Sequence, residues 1–238
     1  MSFPGKTSED NQKFELAYWE KYGGVEKFDL HLPVYRTLFP LDSLDYQSET
    51  IMDVGSGAIS VFDKLAPTEA NVLPFDILAE HYNRIAPDKK FSIQSKISEE
   101  ATFSLITLFN MLDHVDYPDD VLAFVSNHLA KDGRVWIATH LEQPHGAKGH
   151  PQKFSYLTMV SLLVHHFSIE SFGIIREGIP IPYLWHAVLR HKNLPGRNPQ
   201  LCILGGALSY YRLQSIRIVC KLLKLFGLRP LLPQNWQF

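Results

Sequence analysis

The chain has 238 residues, of which 45% are hydrophobic, 20% charged and 12% aromatic. That length supports one large domain, or one domain with an appendage, whose core needs no disulfide or metal staple. Twenty-three basic against 25 acidic residues leave a net charge of −2, which excludes a polybasic nucleic-acid binder and a disordered acidic chain.

The amino terminus, MSFPGKTSEDNQKF, has no basic stretch followed by an apolar one, so no secretory leader is expected. Residues 9–22 are expected to form a helix with Phe14, Tyr18 and Trp19 on one side. A short helix over 31–39 ends at Pro40. Strands then alternate with helices. TIMDV (50–54) is a first strand, followed by a helix over 58–65 that Pro67 stops. NVLPF (71–75) is a second strand, with a helix over 78–85 behind it. FSIQS (91–95) reads as a weaker third strand and FSLITLF (103–109) as a fourth. A helix over 118–130 closes at Lys131-Asp132-Gly133, and RVWIATH (134–140) is the fifth strand. A helix over 154–167 precedes two β-rich segments, 168–177 and 183–191, joined at Pro180 and Pro182. Continuous apolar strands separated by helices predict βαβ units and a mostly parallel sheet covered on both faces, with an antiparallel C-terminal hairpin. The expected fold is therefore a Rossmann-like three-layer α/β sandwich.

The strongest site signal is Asp53-Val54-Gly55-Ser56-Gly57, where the first strand ends. Glycines there let the chain turn sharply and pass close to a ligand, and a following helix offers free N–H groups to an anion. Asp76 lies 19 residues after Gly57, at the end of the second strand. A carboxylate at that place can accept hydrogen bonds from ribose hydroxyls. Together they point to a cofactor that carries a nucleoside. A dinucleotide fingerprint would have a third glycine where Ser60 stands, and an apolar residue where Asp53 stands.

An acidic residue two places before the first glycine is the pattern of class I S-adenosylmethionine-dependent methyltransferases, which this sequence resembles over about residues 48–192. MDVGSGAIS is similar to the first motif of that family and LPFDILAEHYNRI to its second. The segment 101–140 is similar to the fourth strand, the helix after it and the fifth strand. The likeness is strongest to the branch acting on small molecules and sugars, in which N-x-L-[DE]-H follows the fourth strand. The resemblance implies that Gly55, Ser56 and Gly57 line the methionine end of S-adenosylmethionine and that Asp53 orders their loop. It places Asp76 on the ribose, Ile77 against the adenine, and Asn110 toward the reacting centre. The family often has an acid for the adenine amino group after the third strand. Here that stretch is Gln94-Ser95-Lys96-Ile97, so Ser95 or a backbone group takes that contact.

Methyl transfer from a sulfonium is an in-line displacement, and positioning alone is worth up to about 7–11 kcal/mol. A hydroxyl or ammonium acceptor also needs a base, which adds on the order of 10²–10⁴-fold. His114, in the loop leaving the fourth strand, is the first expected base, with Asp113 beside it to orient it or to cap the next helix. His140, His145 and His150 follow the fifth strand. A metal-ligand reading of these three is set aside, because no cysteine is near and the loop carries Gly146 and Gly149. His140 is the second expected base, and His150, in HPQKF, is expected on the substrate side or in a helix-entry turn. Tyr18 and Trp19 are the expected lid residues, whose aromatic faces attract a sulfonium by about 0.5–2 kcal/mol.

Residues 194–238 carry six basic residues and no acid, so residues 1–193 carry −8. The expected organisation is a helical lid over 1–47, a core over 48–193 and a basic, apolar extension over 194–238. Within 206–226 only a narrow stripe is polar, so this segment is expected to pack on the body, pair with a second copy, or lie on an anionic membrane. The two cysteines, Cys202 and Cys220, make no disulfide framework and fit a cytoplasmic setting, peripheral to a membrane in the last case. The acidic body repels nucleic acid. The expected function is methyl transfer to a small hydroxylated or amino acceptor. The rival readings are a nicotinamide-dependent oxidoreductase and a non-catalytic adaptor of the same fold.

Overall fold

The computed structural model describes residues 8–22, 25–140, 149–176, 183–192 and 194. The expectations for 206–226, for His145 and for the Pro180/Pro182 turn lie outside these residues.

Helix α1 spans Glu9–Tyr22 and α2 spans Val25–Leu38. α2 starts six residues earlier than expected and holds Pro33 in its interior. The strands are β1 (Thr50–Val54), β2 (Asn71–Phe75), β3 (Phe103–Phe109), β4 (Leu129–His140), β5 (Phe167–Arg176) and β6 (Tyr183–His191). Between them lie α3 (Phe62–Leu65), α4 (Ala79–Ile85), α5 (Pro118–His128) and α6 (Tyr156–His166). They form one six-stranded sheet in the order β2-β1-β3-β4-β6-β5. β2, β1, β3 and β4 run parallel, and β6 is antiparallel to both β4 and β5.

Strand residues alternate between the two faces, as a pleat requires. Met52, Ile106, Val135 and Ile137 face one core with α5 and α6, while Ile51, Leu105, Trp136 and Ala138 face the other with α2 and α3. Tyr35 and Phe39 of α2 belong to this second core. Tyr35 stacks on Phe109 with centroids 4.5 Å apart, and Phe39 stacks on Trp136 at 5.3 Å. These two aromatics are packing rather than lid.

Three local expectations are corrected. FSIQS is not a strand, since it joins the sheet through a single bridge between Gln94 and Phe75. The Asn83 side chain takes over the pairing, donating to the Ile93 carbonyl at 2.9 Å and accepting its N–H at 3.0 Å. The helix expected over 58–65 is only α3, because Ser60 N–H bonds Asp63 and Phe62 N–H bonds the Ser60 hydroxyl, which holds 58–61 as a turn. α5 stops at His128, and Lys131-Asp132-Gly133 lies inside β4, where the register with β3 shifts.

Candidate functional site

β2, β1 and β3 lie side by side, so the turns that leave their C-terminal ends share one edge of the sheet. Ligands bind at that edge in open α/β sheets. A cavity of about 240 Å³ sits there, and its lining includes Gly55, Gly57, Asp76, Ile77, Asn110 and His114.

The glycine turn is built from both sides. Gly55 and Gly57 have φ of +69° and +65°, a region that side chains with a Cβ rarely adopt. A Cβ on Gly57 would overlap Trp19 Cζ2, so α1 rests directly on this turn. Asp53 is 3% exposed and lies behind the turn. Its two oxygens accept from the Ser60 and Thr107 hydroxyls, each at 2.6 Å. Burial pushes its carboxyl up to about 6 against those two bonds. Asp53 therefore orders the loop from within and does not reach the cavity.

Asp76 joins the second strand to that turn. Its carboxylate accepts Gly57 N–H at 3.2 Å and Leu78 N–H at 2.9 Å. Burial pushes its carboxyl up to about 6 as well. Each oxygen has one backbone donor, which leaves a lone pair on each for a diol. The turn, this carboxylate and the apolar Ile77 fit an adenosyl group. Ser56 and Ser95 are not among the residues lining the cavity.

Asn110 follows β3 with φ of +53°, the one non-glycine residue in the left-handed region among those described. Its N–H bonds the Ala138 carbonyl at 2.7 Å, and its side-chain oxygen meets His140 Nδ1. His140 is 6% exposed and outside the cavity lining. It stands behind Asn110.

The next turn gathers two acids and two histidines. Asp113 is fully buried. Its Oδ1 accepts from the Thr139 hydroxyl at 3.3 Å and its Oδ2 from His150 Nδ1 at 2.7 Å. His114 Nε2 is 3.9 Å from the same Oδ2. His114 Nδ1 meets the Glu15 carboxylate of α1 at 2.8 Å. Burial pushes Asp113 up, but the His114 and His150 imidazoles outweigh it and hold the carboxyl below its ordinary value. Burial likewise pushes His114 down, and the Asp113 and Glu15 carboxylates outweigh it and raise it. His114 Nε2 is buried and has no hydrogen-bond partner among the described residues.

The expected lid residues, Tyr18 and Trp19, do line the cavity, and so does His150. Sequence reasoning missed Glu15, Met111 and Tyr82, which also line it. Glu15 precedes Trp19 by four positions, which puts both on one helix face, and that spacing was the available signal.

Residues 34–217 match the family model described as a methyltransferase domain. Solved structures with similar folds include an N-methyltransferase from Bradyrhizobium japonicum in complex with S-adenosylhomocysteine. The two share 15% identity over 76% of this chain and 99% of that one, with a TM-score of 0.60. A magnesium protoporphyrin IX methyltransferase from Synechocystis, with bound S-adenosylmethionine, is 13% identical over 78% and 99%, with a TM-score of 0.54. A 1,6-didemethyltoxoflavin N1-methyltransferase from Burkholderia thailandensis is 13% identical over 81% and 94%, with a TM-score of 0.52. A comparison with curated proteins finds no match. The family match resolves the nucleoside cofactor as S-adenosylmethionine rather than a dinucleotide. The chain belongs to the methyltransferase-domain family, and it is an S-adenosylmethionine-dependent methyltransferase.

Proposed function

We propose that the chain methylates a small hydroxylated or amino acceptor, of the kind found among sugars, glycan precursors and secondary metabolites. The observation that carries this reading is the single cavity wall shared by the Gly55–Gly57 turn, Asp76 and the histidine turn. Gly55, Gly57, Asp76 and Ile77 would hold the cofactor, with Asp53 fixing their loop from behind. S-adenosylmethionine, when bound, supplies an electrophilic methyl group on a sulfonium. Asn110, His114 and His150 would face the acceptor. Tyr18, Trp19 and Glu15 of α1 close over it and exclude water.

This assignment asks little covalent chemistry of the protein. Its side chains align acceptor and methyl, which is worth up to about 7–11 kcal/mol, and remove the acceptor's proton. Glu15, Asp76 and Asp113 make the surroundings acidic, which suits a sulfonium and disfavours a polyanionic acceptor such as nucleic acid. For the extension, the −8 body and +6 tail support packing on the body or between two copies over a membrane contact. No helix among the described residues is long and apolar enough to cross a membrane.

The test adds S-adenosylmethionine labelled on its methyl group, with the purified protein, to fractionated cell extract. Label should appear in a low-molecular-weight product, and the purified protein should bind S-adenosylhomocysteine. Label only in protein or RNA, or no binding, refutes the reading.

A further inference from the structure

We propose that His150 is the catalytic base of this enzyme and Asp113 its positioning residue. This rests on the proposed function and names the group that takes the acceptor's proton. The two histidines that line the cavity carry four ring nitrogens, of which two are hydrogen-bonded and a third is shut off from solvent. His114 Nδ1 is held by Glu15 at 2.8 Å. His114 Nε2 is buried beside Asp113. His150 Nδ1 is bonded to Asp113 at 2.7 Å. The remaining nitrogen, His150 Nε2, has no partner among the described residues, and the His150 side chain lines the cavity and is 20% exposed.

The tautomer follows from the partner. An ionised carboxylate only accepts hydrogen bonds, and Asp113 already accepts one from Thr139. His150 Nδ1 must therefore carry the hydrogen, and Nε2 presents a lone pair. A buried acid that fixes the tautomer and compensates the imidazolium is the working part of a carboxylate–histidine base. The loop that bears His150 is fastened for this task. Gln152 N–H bonds the Asp113 carbonyl at 3.3 Å, and Gln152 Nε2 bonds the Asp116 carbonyl at 2.9 Å. Gly149, at φ of +82°, packs against Phe14 of α1. His140 is excluded by its place behind Asn110.

The step balances. The acceptor oxygen or nitrogen bonds to the methyl carbon, and the carbon–sulfur bond breaks with its pair left on sulfur. The acceptor's proton passes to His150 Nε2. One positive charge is lost at sulfur and one appears on the imidazole, beside the Asp113 carboxylate. Asp113, His114 and, through His114, Glu15 are the charged groups that bias this proton.

Nitrogen-15 histidine NMR of the protein bound to S-adenosylhomocysteine tests the tautomer without an acceptor. His150 should show protonated Nδ1 and bare Nε2, and Asp113→Asn should mix the tautomers. A bare Nδ1 in the unmodified protein overturns the proposal. With the labelled acceptor fraction, His150→Gln, a change on a loop, should lower single-turnover transfer by about 10²–10⁴-fold with unchanged affinity for S-adenosylhomocysteine. Asp113→Asn should lower the rate and displace the acid limb of its pH profile. Transfer by His150→Gln within threefold of the unmodified rate overturns the proposal. Failure of the unmodified protein to bind S-adenosylhomocysteine instead refutes the functional reading beneath it.

Discussion

Asp76→Asn isolates the link between the glycine turn and the cofactor. The carboxylate bonds Gly57 N–H and Leu78 N–H and keeps a lone pair on each oxygen for the ribose. The amide keeps one acceptor oxygen, and its NH₂ group turns a donor toward the other donor. Hydrogen bonds to charged groups contribute about 1.5–3 kcal/mol each. The loss of one should raise the Kd for S-adenosylhomocysteine about 10- to 150-fold by calorimetry. The pH dependence carries the sharper test. Burial places the carboxyl at about 6. Only its ionised form accepts from two hydroxyls, so protons compete with the ligand below that pH. Affinity of the unmodified protein should then fall toward tenfold per pH unit, while Asp76→Asn should show no slope from this group. The variant removes a buried charge and should keep its melting temperature within a few degrees. Equal affinity in the two proteins, or an equal pH slope, would remove Asp76 from the cofactor site.

Asp53→Asn gives a stability test of opposite character. Its folded carboxyl is at about 6 and an unfolded one at about 3.9, so the fold holds an extra proton between those values. The unmodified protein should lose up to about 3 kcal/mol relative to Asp53→Asn as pH rises from about 4 to 7, read by urea unfolding. A difference that is flat with pH would show that the carboxyl is not raised. Gly57→Ala forces a side chain into left-handed backbone and against Trp19, and should cost about 1–3 kcal/mol and shift the tryptophan fluorescence by displacing α1. An unshifted spectrum would contradict the packing of α1 on the turn. Glu15→Gln removes one of three carboxylates, with Asp113 and Asp76, that raise His114, so its pKa by NMR should fall. A raised histidine stabilises the fold below its unfolded pKa and loses that contribution as pH rises through the folded value. The stability deficit of Glu15→Gln should therefore be larger at about pH 5.5 than at about pH 8.5, and a deficit independent of pH would contradict the ion pair.

The sheet was readable because three of its parallel strands are largely apolar runs that end in chain-breaking residues. TIMDV, NVLPF and FSLITLF have the bounds expected from sequence. The failures have one kind of cause. FSIQS has strand-forming residues, yet the amide of Asn83, eight residues before it, competes for its backbone. The residues 58–61 were expected in a helix, yet Ser60 is drawn to Asp53 across the turn. In both places a side chain from another element satisfies the backbone or fixes its path, and single-sequence periodicity contains no trace of such a partner.

The site divides in the same way. Gly57 and Asp76 were placed beside the cavity by their spacing at strand ends and Asn110 by the family resemblance, because a strand end fixes where its next residue goes. The histidines were not. His114 and His140 rank first by distance along the chain from the fourth and fifth strands, but position along a chain says nothing about which ring nitrogen is free. That depends on Glu15, 99 residues away from His114, and on Asp113, 37 residues away from His150. Glu15 comes from α1, which lines the cavity, so the state of His114 is tied to the position of that helix. The Asp113–His150 bond joins two residues outside α1, although Gly149 of the same loop packs on Phe14 of that helix. The geometry thus separates two partnerships that the sequence merges into one histidine-rich stretch: His114 is bonded to Glu15 of α1, and His150 is bonded to Asp113.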